Sequence, residues 1–151
     1  MRFEETRTMP VELKKGWDYV NDFRRWPDYY AGFDHIVDPD NGAWDNVGDT
    51  VAFAYRLLGR IIEGVAVLEE RDEGVMVKLV AKVPPLPDVT QEWHYTELAD
   101  HFILRVVLET EGATSFMGRL IDGTLLPRAL EKDLKRTLDN LEAIFEMGIP
   151  D

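Results

Sequence analysis

Glu92 and His94 stand two residues apart in the run Gln91-Glu92-Trp93-His94-Tyr95-Thr96. On a strand, residues two apart share a face. The pair could therefore act as general acid and base, with the imidazole titrating near neutral pH. Trp93 and Tyr95 form the opposite face. Both faces carry bulk, so the pattern leaves open which side of the 89–98 strand points inward. Tyr55 shares a face with Val51, Phe53 and Leu57. A tyrosine there packs its ring and needs a partner for its hydroxyl, which inside a cavity could orient a carbonyl. Glu92, His94 and Tyr55 are the candidate catalytic residues. Trp26, Tyr29 and Tyr30 cluster beside Arg24 and Arg25. Such a group could rim an apolar site, with a guanidinium to hold a carboxylate. Each residue also has a plainer reading: a solvated histidine, a core tyrosine, and a hydrophobic plug over the core.

Composition removes other chemistries. The chain has no cysteine, which excludes thiolate nucleophiles, cysteine zinc sites and iron–sulfur clusters. Ser115 is the only serine, and Ala113-Thr114-Ser115-Phe116-Met117 is not a nucleophile elbow. His35 and His101 stand in or beside turns, away from any His-Glu-x-x-His pattern. Asp38-Pro39-Asp40-Asn41-Gly42 lacks the closing glutamate of a calcium loop. We expect no metal and no cofactor. The 17 basic and 29 acidic residues give a net charge of −12, and the densest basic cluster, Lys132, Lys135 and Arg136, is interleaved with Glu131, Asp133 and Asp139. That balance argues against nucleic acid. The longest stretch free of charged residues, Gly112–Gly118, falls far short of a membrane span, and the start Met1-Arg2-Phe3-Glu4-Glu5 carries acid where a signal peptide would be apolar. A cytoplasmic location is expected.

The elements that must position these residues follow from periodicity. With 151 residues, 45% of them hydrophobic, the chain reads as one domain, residues 1–151, large enough for its own core. Residues 2–8 alternate weakly as a first strand. Pro10 sits where a helix could start, with Leu13, Trp17 and Val20 on one face, and Asn21-Asp22 ends it. Pro27 opens a short second helix. From Phe33, turn clusters separate runs rich in Val, Ile, Phe, Tyr and Thr, which predicts an antiparallel meander of about six strands. Val75, Val77, Leu79, Ala81 and Val83 form one face of a strand; Phe102, Leu104, Val106 and Leu108 form one face of another, with Arg105 outward. The last segment is a long helix with a stripe at Leu126, Leu130, Leu134, Leu138, Leu141 and Phe145. This helix either starts near Pro127 or runs, kinked there, from about Phe116. One long helix must bury its stripe on one curved sheet. Side chains cannot fill all the space between them, so a cavity is expected, with its mouth near the loops and short helices.

That order of elements resembles the helix-grip fold of the START-like (SRPBCC) superfamily, and most of all bacterial polyketide cyclase/dehydrase-type proteins. The resemblance spans nearly the whole chain and rests on Met9-Pro10-Val11, on Asp22 followed by Trp26-Pro27, on Gly48-Asp49 before a strand, and on Leu138-Asp139-Asn140-Leu141-Glu142 in the terminal helix. It implies an α+β fold (β-α-α-β6-α), in which a curved antiparallel sheet of about seven strands wraps a long C-terminal helix around an apolar cavity. It also implies binding or transport of a small hydrophobic ligand: a lipid, a polyketide or an aromatic metabolite. The expected ligand-binding residues are Trp26, Tyr30, Phe53, Tyr55, Val77, Leu79, His94, Phe116 and Leu120. Two alternatives stand beside a carrier. One is a polyketide cyclase, aromatase or dehydratase that uses polar cavity residues; the other is an interaction protein with a vestigial cavity. The sequence allows a homodimer without predicting one.

Overall fold

The computed structural model describes residues 1–111 and 125–150. Strand β1 (Arg2–Met9) leads into helix α1 (Leu13–Val20), a 3₁₀ turn (Phe23–Arg25) and helix α2 (Trp26–Tyr29). Six strands follow: β2 (Phe33–Ile36), β3 (Thr50–Leu57), β4 (Arg60–Asp72), β5 (Met76–Lys82), β6 (Val89–Glu97) and β7 (Phe102–Thr110). Helix α3 (Leu125–Met147) closes the described chain. The seven strands form one sheet in the order β1-β7-β6-β5-β4-β3-β2, with every neighbouring pair antiparallel. This is the helix-grip arrangement. No described helix is long and apolar enough to cross a membrane.

Alternation decides which face of each strand is buried. On β7, Phe102, Leu104, Val106 and Leu108 turn toward α3, and Arg105 faces out to an ion pair with Glu4. Cross-strand partners share a face. Trp93 stands opposite Val106 and Tyr95 opposite Leu104, so β6 turns its two aromatics inward. On β5, Val77 and Leu79 follow the same rule. Val75, expected on that inner face, is exposed in the turn before the strand begins at Met76. Pro10 does not open α1: it lies in a bend, and the helix begins at Leu13.

The interior is solid along the second half of α3. Leu138, Leu141 and Phe145 are buried there. The Phe145 ring stands 6.1 Å from Phe102 and 5.9 Å from Tyr19, and α1 adds Trp17, edge-on to Tyr95 at 4.7 Å. Outside this core, Arg7 of β1 pairs with Asp139 and Glu142 of α3, and Lys135 with Glu131 at 3.3 Å.

Gly16 lets α1 reach this core. A Cβ at that position would lie 2.2 Å from Cε1 of Phe102, whose ring is fully buried. Gly16→Ala gains about 1 kcal/mol of helix propensity, but overpacking costs about 1–3 kcal/mol. Because the ring has nowhere to go, we expect a net loss of up to about 2 kcal/mol, read as a lower midpoint in urea denaturation. A raised midpoint would show that Phe102 yields.

Candidate functional site

The chain leaving α1 is folded back by side chains of α2. The terminal carbonyl of α1, Val20 O, accepts hydrogen bonds from Trp26 Nε1 at 3.2 Å and from the Tyr29 hydroxyl at 2.7 Å. That carbonyl is otherwise an orphan of the helix end. Asp22 caps the 3₁₀ turn by accepting from the Arg24 backbone N–H at 3.2 Å. Helix α3 holds the other side of the segment. Asn140 Nδ2 donates to the Tyr29 carbonyl at 3.0 Å, and the Ala31 N–H donates to the Thr137 hydroxyl at 3.0 Å. The segment is a strap, and it carries Trp26 and Tyr30 under the sheet.

These aromatics build one wall of a hollow beside the first half of α3. Trp26 stands edge-on to Trp44 at 4.8 Å, Tyr30 lies 5.6 Å from Trp93, and Phe33 lies 5.5 Å from Phe53. Leu79, Ala81, Val83 and Leu108 line the sheet side; Leu126, Leu130 and Leu134 line the helix side; Leu86, Pro87 and Val89 close one end. The volume is about 120 Å³.

Few polar groups of the described residues reach this hollow. Across it, the Tyr55 hydroxyl of β3 donates to Oδ2 of Asp133 on α3 in a short hydrogen bond. Gly32 makes room for that hydroxyl. It turns with φ of +87°, and a Cβ there would lie 2.9 Å from the Tyr55 oxygen. Burial raises the Asp133 carboxyl above its ordinary value, while the Tyr55 hydrogen bond and nearby Arg136 and Lys132 pull it back down. Burial, reinforced by Asp133, pushes the Tyr55 phenol upward, so it stays a donor. On β6, Gln91 Oε1 accepts from Trp93 Nε1 at 3.0 Å and from the Tyr30 hydroxyl at 3.4 Å. Thr137 also lines the hollow, but it is already engaged. Its hydroxyl donates to the Asp133 carbonyl at 2.7 Å while accepting from Ala31.

The structure brings together Trp26, Tyr30, Phe53, Tyr55 and Leu79 of the expected residues. Val77 is not at this hollow; it packs in the core beside a separate gap of about 10 Å³. Glu92 and His94 lie on the outer face of the sheet, 3.5 Å apart, their side chains 34% and 29% exposed. Their acid–base role inside a cavity is corrected by the register that turns Trp93 and Tyr95 inward. Arg24 and Arg25 do not guard the hollow either. Arg24 lies over the Phe23 ring and reaches the Pro39 carbonyl, and Arg25 donates to the Pro150 carbonyl at 3.2 Å. Phe116 and Leu120, with Ser115, lie outside the described residues. Asp133, Gln91 and Thr137 are the polar residues that sequence reasoning missed. A signal was present: Asp133 and Thr137 stand three residues after Leu130 and Leu134, on the flank of the apolar stripe.

A family model described as polyketide cyclase/dehydrase and lipid transport matches residues 1–146. The chain belongs to the polyketide cyclase/dehydrase and lipid transport family. No curated protein matches the sequence. Solved structures share the fold of this family member at low identity. A START superfamily protein from Mycobacterium smegmatis is 15% identical, with 97% of each chain covered and a TM-score of 0.77. TTHA0849 from Thermus thermophilus is 13% identical, covers 99% of this chain and 100% of its own, and scores 0.76. The Zhui aromatase/cyclase from Streptomyces sp. R1128 is 14% identical, covers 99% and 96%, and scores 0.75. Likeness at this level speaks for the polyketide cyclase/dehydrase fold alone.

Burial and the Tyr55 hydrogen bond pull the Asp133 carboxyl in opposite directions, which gives a signed prediction. In a carboxyl-detected NMR titration, Asp133 should titrate above an ordinary aspartate. Tyr55→Phe should move its midpoint higher still, because it removes the donor that favours the charged form. With the folded value raised, this group's contribution to stability is largest below the unfolded aspartate value and shrinks as pH rises through the folded one. A midpoint that falls in Tyr55→Phe would contradict the assignment of that hydrogen bond.

Proposed function

We propose that this chain is a binding module for a small apolar molecule, held between the sheet and the first half of α3, with residues 1–151 acting as one helix-grip domain. The observation that carries the reading is the hollow of about 120 Å³ walled almost entirely by aliphatic and aromatic side chains. A strongly polar ligand would lose its hydration there and find few partners. An apolar cavity of about 150 Å³ accepts benzene, so the hollow as it stands suits a ring or a short chain. Its aromatic side offers flat, rigid surfaces at little entropic cost. Membership of a family described as polyketide cyclase/dehydrase and lipid transport supports the same class of ligand.

A second reading, turnover of a bound polyketide-like substrate, is favoured by the Tyr55–Asp133 pair, which sets a proton donor and a carboxylate at the hollow. Acid–base catalysis needs such a group within hydrogen-bond reach of the substrate. Native mass spectrometry of protein purified from its own source separates the two readings: a carrier retains one compound unchanged, whereas an enzyme converts it.

Direct uptake tests the module itself. The protein should take up naphthalene at one molecule per chain. Ala81→Phe, which places a ring in the hollow, should weaken that uptake about tenfold or more, since a ring displaces several kcal/mol of apolar contact. A wild-type protein that neither retains a molecule on purification nor takes up naphthalene is incompatible with the carrier reading.

A further inference from the structure

Among the described residues, the polar groups of the hollow have one sign of charge and a definite pattern of donors and acceptors. Among the described lining residues, Asp133 is the only acid, and there is no Lys, Arg or His. Lys132 and Arg136 stand on the exposed side of α3, and Arg24 and Arg25 are committed elsewhere. Oδ2 of Asp133 receives the Tyr55 hydroxyl, and Oδ1 takes no hydrogen bond from the described residues. It is open to accept from a donor on a ligand. Across the hollow, Gln91 uses its carbonyl oxygen for Trp93 and Tyr30, which leaves the amide nitrogen as a donor. The described walls are otherwise apolar, so a carboxylate entering this space would face Asp133 directly, while Lys132 and Arg136, which act on Asp133 from the exposed side of the helix, do not line the hollow.

Resting on the apolar-ligand reading, we propose that the hollow selects its ligand by charge. It accepts an uncharged apolar molecule that presents a hydroxyl or phenol to Asp133, and it rejects the corresponding carboxylate. Free fatty acids and aromatic acids are thereby excluded from a site whose greasy walls would otherwise welcome them. Asp133 is the specificity-determining residue. Tyr55 positions it by holding one carboxylate oxygen, leaving the other for the ligand.

Three probes of one shape test this: naphthalene, 2-naphthol and 2-naphthoate. Binding is followed at neutral pH by quenching of tryptophan fluorescence, since Trp26 and Trp93 line the hollow. The wild type should bind 2-naphthol about tenfold or more tighter than 2-naphthoate, the scale of one hydrogen bond to a charged group. In Asp133→Asn the two affinities should converge, mainly through a gain by 2-naphthoate. Tyr55→Phe, which keeps the carboxylate, should retain the preference. Equal or tighter binding of 2-naphthoate by the wild type overturns the proposal, and so does a preference that survives Asp133→Asn. Naphthalene separates the two levels of the argument. If it binds while the charge preference is missing, charge selection falls alone. If none of the three binds, the apolar-ligand reading falls and takes charge selection with it. Should Asp133→Asn fail to fold, the wild-type ratio and Tyr55→Phe still decide.

Discussion

A straight rod cannot follow a twisted surface along its whole length, and that mismatch organises this protein. Helix α3 has 23 residues, about 35 Å at 1.5 Å per residue. The sheet beneath it has seven strands, each rotated against the next by roughly 20–25° in sheets of this kind. Close packing is reached along the second half of the helix, where Leu138, Leu141 and Phe145 bury against Phe102 and Tyr19. Along the first half, Leu126, Leu130 and Leu134 face a hollow instead. The dense end supplies the stability that lets the open end stay open.

The strap between α1 and β2 turns that gap into a shaped site. It is fixed at one side by the Val20 carbonyl and at the other by Thr137 and Asn140. Each of these bonds satisfies a backbone group that would otherwise be orphaned near the core. As a result, Trp26 and Tyr30 are held against Trp44 and Trp93 rather than free to collapse into the space. Helix α3 both lines the hollow and clamps the strap that walls it, so the site and the core belong to one mechanical unit. Asp133 sits where these roles meet, half-buried, bonded to β3, and one turn before the Thr137 that anchors the strap.

Much of the architecture was legible because burial imposes a period. Phe102, Leu104, Val106 and Leu108 alternate cleanly, and the leucines of α3 step along one face. These residues land where their spacing puts them. Val75 broke its pattern because it belongs to the turn between β4 and β5, where its N–H donates to the Asp72 carbonyl. The site was harder to read. Trp26, Tyr30, Phe53, Tyr55 and Leu79 are large and apolar at core-facing positions, so the criterion that finds a core also found the walls. The polar members failed that criterion. Asp133 resembled the solvated charges beside it, and Glu92 and His94 drew attention by type while β6 turned them away.

Local pattern alone was enough for the classes of element, their order, the buried stripe of α3 and the inner face of β7, because each depends on a repeat of two or of about 3.6 residues along the chain. The face of β6 could not be decided that way. Bulky residues alternate on both sides of it, and the choice comes from its partner, where Trp93 meets Val106 and Tyr95 meets Leu104. The pairing of Tyr55 with Asp133 was also beyond local pattern. Seventy-eight positions separate them, and only the laying of α3 across the sheet sets a phenol of β3 against a carboxylate of the helix. Periodicity records which side of an element is dry; which polar groups then meet in the dry space is a property of the assembled surfaces.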